Sequence, residues 1–145
     1  MKGLMAFTVK AHWGLLIRSG LKTVENRSFR VPPGFYLVHC ASRIHLNEWA
    51  VAKDWVGDRI GAHVAFPSYS ECLEWRGCLC CGVHVVSALT ESANPWFMPG
   101  RVAWELERSV LCGRGIRARG GLGVWTVDSD VIRKVRRMVK ATEEL

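Results

Sequence analysis

The spacing of apolar and polar residues predicts the elements of this chain one after another. GLMAFTV (3–9) is apolar and rich in strand formers, which predicts a first strand. In AHWGLLIRSG (11–20), Trp13, Leu16, Ile17 and Gly20 recur at helical spacing, and Gly20 suits the left-handed cap of a short helix. KTVENRSF (22–29) returns to extended character around Val24. VPPG (31–34) predicts a turn, because two prolines do not fit inside a sheet. FYLVHCA (35–41) reads as a buried strand. HLNEWAVAKDWVGD (45–58) predicts a second helix with Leu46, Trp49, Ala52 and Val56 on its apolar side. RIGAHVAFP (59–67) fits neither period, and SYSECLEW (68–75) allows a helical turn or two. GCLCCGVHVVSAL (77–89) predicts a long strand. TESANPWFMPG (90–100), with its Asn-Pro and Pro-Gly steps, predicts a loop. RVAWELERSVL (101–111) predicts a strand with Val102, Trp104 and Leu106 on one face, and IRARGGLGVWTV (116–127) a glycine-rich segment leading into another. The last stretch (128–145) predicts a helix capped by Asp128 or Ser129. Its apolar stripe is Val131, Ile132, Val135, Met138 and Val139; Arg133, Lys134, Arg136, Arg137 and Lys140 face outward.

This order yields five or six strands and about three helices without regular alternation. The fold class is therefore α+β. A small mixed or antiparallel barrel flanked by helices fits better than a doubly wound parallel sheet. A length of 145 residues suits a single domain spanning 1–145. No apolar run approaches the roughly 18 residues of a membrane span, and the first residues lack a signal-peptide pattern, so no membrane association and a cytoplasmic location are expected.

Charge adds a direction. The formal net charge is +7, and nine of the 20 cations but only two of the 13 acids lie between Arg108 and Lys140, leaving eleven of each elsewhere. The whole excess is in the last third, which suits a polyanionic partner such as nucleic acid; a solvated surface is the alternative. The six cysteines (Cys40, Cys72, Cys78, Cys80, Cys81 and Cys112) form no pair of Cys-x-x-Cys knuckles, so they read as core side chains in a reducing compartment, with no metal expected. Strand alternation would send Cys78 and Cys80 to one face and Cys81 to the other.

The candidate chemistry lies in GLKTVENR (20–27). In an extended segment Glu25 shares a face with Thr23 and Arg27, whereas Lys22 falls on the other with Val24 and Asn26. Lys22 joins the pair only if the chain bends. A carboxylate between cations is a fixed acceptor for an amine or N–H edge, and the cations can grip a phosphate or carbonyl. A structural ion pair closing one end of the barrel is the other reading.

The run WGLLIRSGLKTVENRSF (13–29), followed by FYLVHCAS (35–42), resembles the ASCH domain family. Its G-x-K-x-x-E-x-R signature is met by Gly20, Lys22, Glu25 and Arg27. PWF (95–97), VAWELERSVL (102–111) and GGLGVWTV (120–127) extend the resemblance over most of the chain. It implies a PUA-like fold, a mixed β-barrel with flanking helices, that binds RNA or modified bases in a cleft lined by the signature. Some related small proteins are amidohydrolases acting on N4-acetylcytidine through a Lys, a nearby Thr and a distant Glu. Here Glu25 occupies the position of that threonine, and Glu71, Glu74 and Glu91 are the candidates for the distant carboxylate. Other members are associated with ribonuclease activity, but His12, His39, His45, His63 and His84 form no evident catalytic pair.

The expected function is thus RNA or nucleic-acid binding, with DNA possible as partner and no cofactor. The expected ligand-binding residues are Lys22, Glu25, Asn26, Arg27, Ser42 and Trp96, the last in a proline-flanked loop where it can stack a base or plug the barrel. Arg114, Arg117, Arg119 and the outer face of the last helix would meet phosphates, as would the backbone N–H groups at His12 and Trp13. The alternative is a small hydrolase of modified nucleosides or RNA, with Lys22 and Glu25 catalytic.

Overall fold

The computed structural model describes residues 3–109 and 114–143. Among them, seven strands and four helices follow one another: β1 (Met5–Val9), α1 (Ala11–Arg18), β2 (Val24–Arg27), β3 (Gly34–Cys40), α2 (Leu46–Arg59), α3 (Tyr69–Trp75), β4 (Cys78–Leu89), β5 (Val102–Ser109), β6 (Ile116–Arg117), β7 (Val124–Thr126) and α4 (Ser129–Glu143). The architecture is α+β, as expected, with one more helix and at least one more strand. The added helix is α3. Ser68 Oγ accepts from the Glu71 N–H at 3.0 Å and Glu71 Oε1 accepts from the Ser68 N–H at 3.2 Å, a reciprocal cap that starts the helix. The glycine-rich segment holds two short strands, β6 and β7.

All strands belong to one mixed sheet, ordered β2-β5-β4-β3-β1-β7, with β6 on β4. β1 and β3 run parallel, joined by the crossover through α1 and β2, and every other pairing is antiparallel. The sheet curls into a half-barrel. β2 and β1 are four places apart in the order, yet Arg27 Nη2 of β2 donates to Thr8 O of β1 at 2.7 Å. Two extra residues in β4 help to bend it. Cys80 lies between the pairs Val38–Cys81 and His39–Leu79, and Val86 between Val85–Leu106 and Ser87–Glu105.

Both faces of the central strands are covered, which explains their continuous apolar runs. Phe7, Val38, Val83 and Trp104 pack inside the curl with Ile17 of α1. Ala6 and Leu37, the sequence neighbours of Phe7 and Val38, pack outside it together with Leu79 against Val131 and Val135 of α4. Trp104 is fully buried; its ring meets Phe7 edge-on at 5.4 Å and its indole N–H donates to Phe29 O at 2.8 Å. A third cluster forms where α1, α2 and the loop after β4 meet, from Leu16, Val24, Val56, Trp96, Phe97 and Ala103.

Three expectations are corrected. Leu46 is 58% exposed rather than core-facing, so only Ala52 and Val56 bury the α2 stripe fully. The extra residue at Cys80 defeats alternation: Cys80 and Cys81 enter the same inner cluster with their sulfurs 3.9 Å apart. β2 is also shorter than the extended stretch expected, starting only at Val24. Cys112 and the end of the strand expected over 101–111 lie outside the described residues, as does the side chain of Lys140. No helix among the described residues is long and apolar enough to cross a membrane.

Candidate functional site

The bend that Lys22 requires is built into the end of α1. Gly20 adopts φ 82°, and the N–H groups of Leu21 and Lys22 both reach Leu16 O at 3.1 Å. This wraps the chain back under the helix before β2 begins. Lys22 Nζ then lies 3.5 Å from Glu25 Oε1 and also donates to Val24 O. Arg27 Nε approaches Glu25 Oε2 at 3.2 Å from the other side. Lys22 and Glu25 are buried, while the Arg27 side chain keeps 19% of its surface. Burial pulls the Lys22 ammonium below its ordinary value; Glu25 opposes that shift and Arg27 reinforces it.

The triplet is not sealed in the barrel end. It stands on the wall of a cavity of about 800 Å³. Opposite it, α2 contributes Glu48, Val51, Ala52 and Trp55, and α1 contributes His12 and Trp13. Trp13 and Trp55 meet edge-on at 6.0 Å, and Trp55 and Trp96 are 6.2 Å apart at 39°. Because these rings touch one another, they form a continuous aromatic corner rather than a two-sided clamp. Lys22 Nζ lies 5.6 Å from the Trp13 ring and 6.0 Å from the Trp96 ring. The Arg27 guanidinium packs against Phe7 and Trp104 at 5.5 and 5.4 Å.

Trp96 is held by its loop. Asn26 Nδ2 donates to Trp96 O at 3.0 Å, and Asn26 Oδ1 accepts from the Met98 N–H at 2.8 Å. From the far side, Arg59 donates to Pro95 O at 3.0 Å and to Phe97 O at 2.9 Å. Asn94 secures the loop entrance, accepting from the Trp96 N–H at 2.9 Å and donating to Thr23 Oγ1 at 3.0 Å. Asn26 therefore spends its side chain on the loop rather than offering it to a ligand, and Trp96, only 4% exposed, is a wall of the cavity rather than a protruding platform.

The expected site residues fall into separate groups. Lys22, Glu25, Asn26, Arg27 and Trp96 line the cavity. Ser42, Arg117 and Arg119 line a second hollow on the other side of Thr8, and Arg114 is exposed and lines neither. Glu71, Glu74 and Glu91 are all absent from the cavity wall, and Thr23 bonds to Asn94; the distant carboxylate on the wall is Glu48, paired with Lys10 at 3.4 Å. Sequence reasoning missed Glu48 and Trp55, and used His12 only through its backbone N–H at the start of α1. His12 is 2% exposed, its Nδ1 has no hydrogen-bond partner among the described residues, and burial lowers its pKa to about 4. Glu48 and Lys10, acting in opposite senses, are the charges nearest its balance. Among the described residues, no three His, Cys, Asp or Glu side chains converge as a metal-binding group. The five described cysteines are buried, and burial raises the Cys72 thiol to about 12. No known family model matches the chain, and no characterised protein matches it in sequence.

Proposed function

We propose that this chain is an ASCH-type, PUA-like domain that binds RNA by taking one nucleobase into the cavity beside Lys22, Glu25 and Arg27. One observation carries the reading: a carboxylate fixed between two cations stands on the wall of a large cavity that also offers three indole rings. A base has a flat face and an edge of donors and acceptors. Glu25 can accept from an amino or ring N–H, the cations can donate to a carbonyl or ring nitrogen, and an indole face can stack the ring. Such stacking contributes about 1–3 kcal/mol per base. Base edges are free in single strands, so a single strand is the favoured partner. The net charge of +7 supports a polyanion.

The test titrates labelled single- and double-stranded RNA and DNA at two salt concentrations and analyses the same tubes for products. Single-stranded RNA should bind, with log K falling by roughly 0.7 per tenfold rise in salt for each phosphate neutralised. Trp55→Ala should weaken it. Absence of salt-sensitive binding to any of the four probes overturns the reading.

The lowered pKa of Lys22 beside Glu25 favours a second reading, a hydrolase of RNA or modified nucleosides in which these two residues exchange protons with substrate. New products in the same tubes would support it. Glu25→Gln then separates the cases: a catalyst loses turnover and keeps affinity, whereas a binder loses affinity.

A further inference from the structure

Across Thr8 from the cavity, two chain segments face each other. One is the exit from β3, Ala41-Ser42-Arg43; the other is the run Arg117-Ala118-Arg119-Gly120-Gly121 that leaves β6. Between them lies a hollow of about 830 Å³. Its floor is His39, which is 2% exposed and whose pKa burial lowers. The hydrogen bonds assign its tautomer. Ala118 O can only accept, so His39 Nε2 donates to it at 2.7 Å, and Nδ1 accepts from the Thr8 hydroxyl at 3.2 Å. The Trp125 indole N–H in turn donates to Thr8 Oγ1 at 3.1 Å. Gly120 lets the loop seat on this floor, since a Cβ there would fall 2.8 Å from His39 Cε1.

The floor is thus neutral and internally satisfied, and the charge over it belongs to the walls. Among the described residues these carry three guanidinium groups, Arg43, Arg117 and Arg119, and no carboxylate. All three are exposed, and among the described residues none forms an ion pair. Guanidinium groups left open around a neutral floor suit phosphate oxygens, which they bind in a planar fork. Thr8 also lines the first cavity, where its carbonyl holds Arg27 at 2.7 Å. The two hollows therefore adjoin.

We infer that this second hollow holds the phosphodiester backbone of the strand whose base occupies the first cavity, so that the protein binds a single strand more tightly than a free nucleoside. The inference rests on the base-binding reading and adds to it the continuation of the ligand and the role of Arg43. Two or three phosphates neutralised here would contribute about 1.4 to 2 to the slope of log K against log salt, at about 0.7 each.

The probe is a labelled single-stranded RNA of mixed sequence, titrated between about 50 and about 200 mM salt against wild type, Arg117→Ala/Arg119→Ala and Arg43→Ala. A mixture of the four free ribonucleosides is followed in parallel by tryptophan fluorescence. The double variant should lose about 1.4 from the salt slope and Arg43→Ala about 0.7, with the nucleoside signal unchanged. Inorganic tripolyphosphate should compete with the RNA on wild type and not displace nucleosides. Wild-type salt slopes in all variants overturn the phosphate hollow while leaving the base cavity standing. If neither RNA nor nucleosides bind wild type, both readings fall. If an acidic peptide competes as well as tripolyphosphate at equal charge, the phosphate assignment falls alone.

Discussion

Replacing Glu25 with Gln removes the one carboxylate between Lys22 and Arg27 while preserving its shape. At the 3.5 Å separation of Lys22 Nζ and Glu25 Oε1, Coulomb's law with an effective dielectric of about 20 gives roughly 5 kcal/mol. The Arg27 contact is more exposed and adds less. Lys22 has an escape, because it can release its proton. Relative to the ordinary value of 10.5, neutralising it costs about 5 kcal/mol at neutral pH and about 2 kcal/mol near pH 9, at 1.36 kcal/mol per pH unit. That escape sets a ceiling. Glu25→Gln should therefore destabilise the fold by about 3–5 kcal/mol at neutral pH, the range for a broken buried pair. In the variant the unfolded chain binds a proton at Lys22 that the folded one has given up. Stability then rises with pH, and the deficit shrinks by up to about 1.4 kcal/mol per unit until wild-type Lys22 itself begins to deprotonate. Urea unfolding followed by tryptophan fluorescence at pH near 7 and near 9 measures both quantities. A loss below about 1 kcal/mol at neutral pH, or the same loss at both pH values, would refute the coupling between burial and charge argued for this triplet.

Other perturbations test other parts of the molecule. His12 is buried with its pKa lowered from 6.5 to about 4, so the unfolded chain takes up its proton first as pH falls. Wild type should lose roughly 3 kcal/mol from this residue between those values, and His12→Phe should flatten that part of the pH–stability curve; an unchanged curve counts against the burial argument. Gly14→Ala gains about 1 kcal/mol of helix propensity but sets a Cβ 2.8 Å from Cys40 Sγ in the sealed core. Overpacking of about 1–3 kcal/mol should win, and Gly14→Ala/Cys40→Ala should recover part of it in a double-mutant cycle by urea unfolding. Ser68→Ala breaks the reciprocal cap of α3 and should cost about 1 kcal/mol, read as a shift in unfolding midpoint with no change in slope.

The patterns visible in the sequence were those that depend on near neighbours. Gly20 marks the end of α1, the two prolines after Val31 mark a turn, and the two-residue period pairs Glu25 with Arg27. What escaped depends on distant packing. Lys22 reaches Glu25 because its own N–H and that of Leu21 cap α1, a tertiary consequence of how the chain reverses. Glu48 and Trp55 share a cavity with the triplet only because α2 lies across the opening of the curled sheet, and nothing in their local spacing marks them. Leu46 stayed exposed although it fits the α2 stripe, since the stripe is covered only towards its middle and end. Cys80 and Cys81 share a face because of an extra residue that alternation cannot foresee. Asn26 looked like a ligand group because a polar side chain in a motif has no visible partner until the loop 70 residues later folds over it.

The doubly fastened segment Pro95–Met98 has a consequence for how a guest is chosen. Asn26 grips it from the strand side and Arg59 from the helix side, so an irregular stretch of backbone is fastened from two directions. The indole it carries is a fixed gauge, set before anything arrives. On the base-binding reading proposed above, a flat ring would lie against this one preset wall with little further ordering to offset.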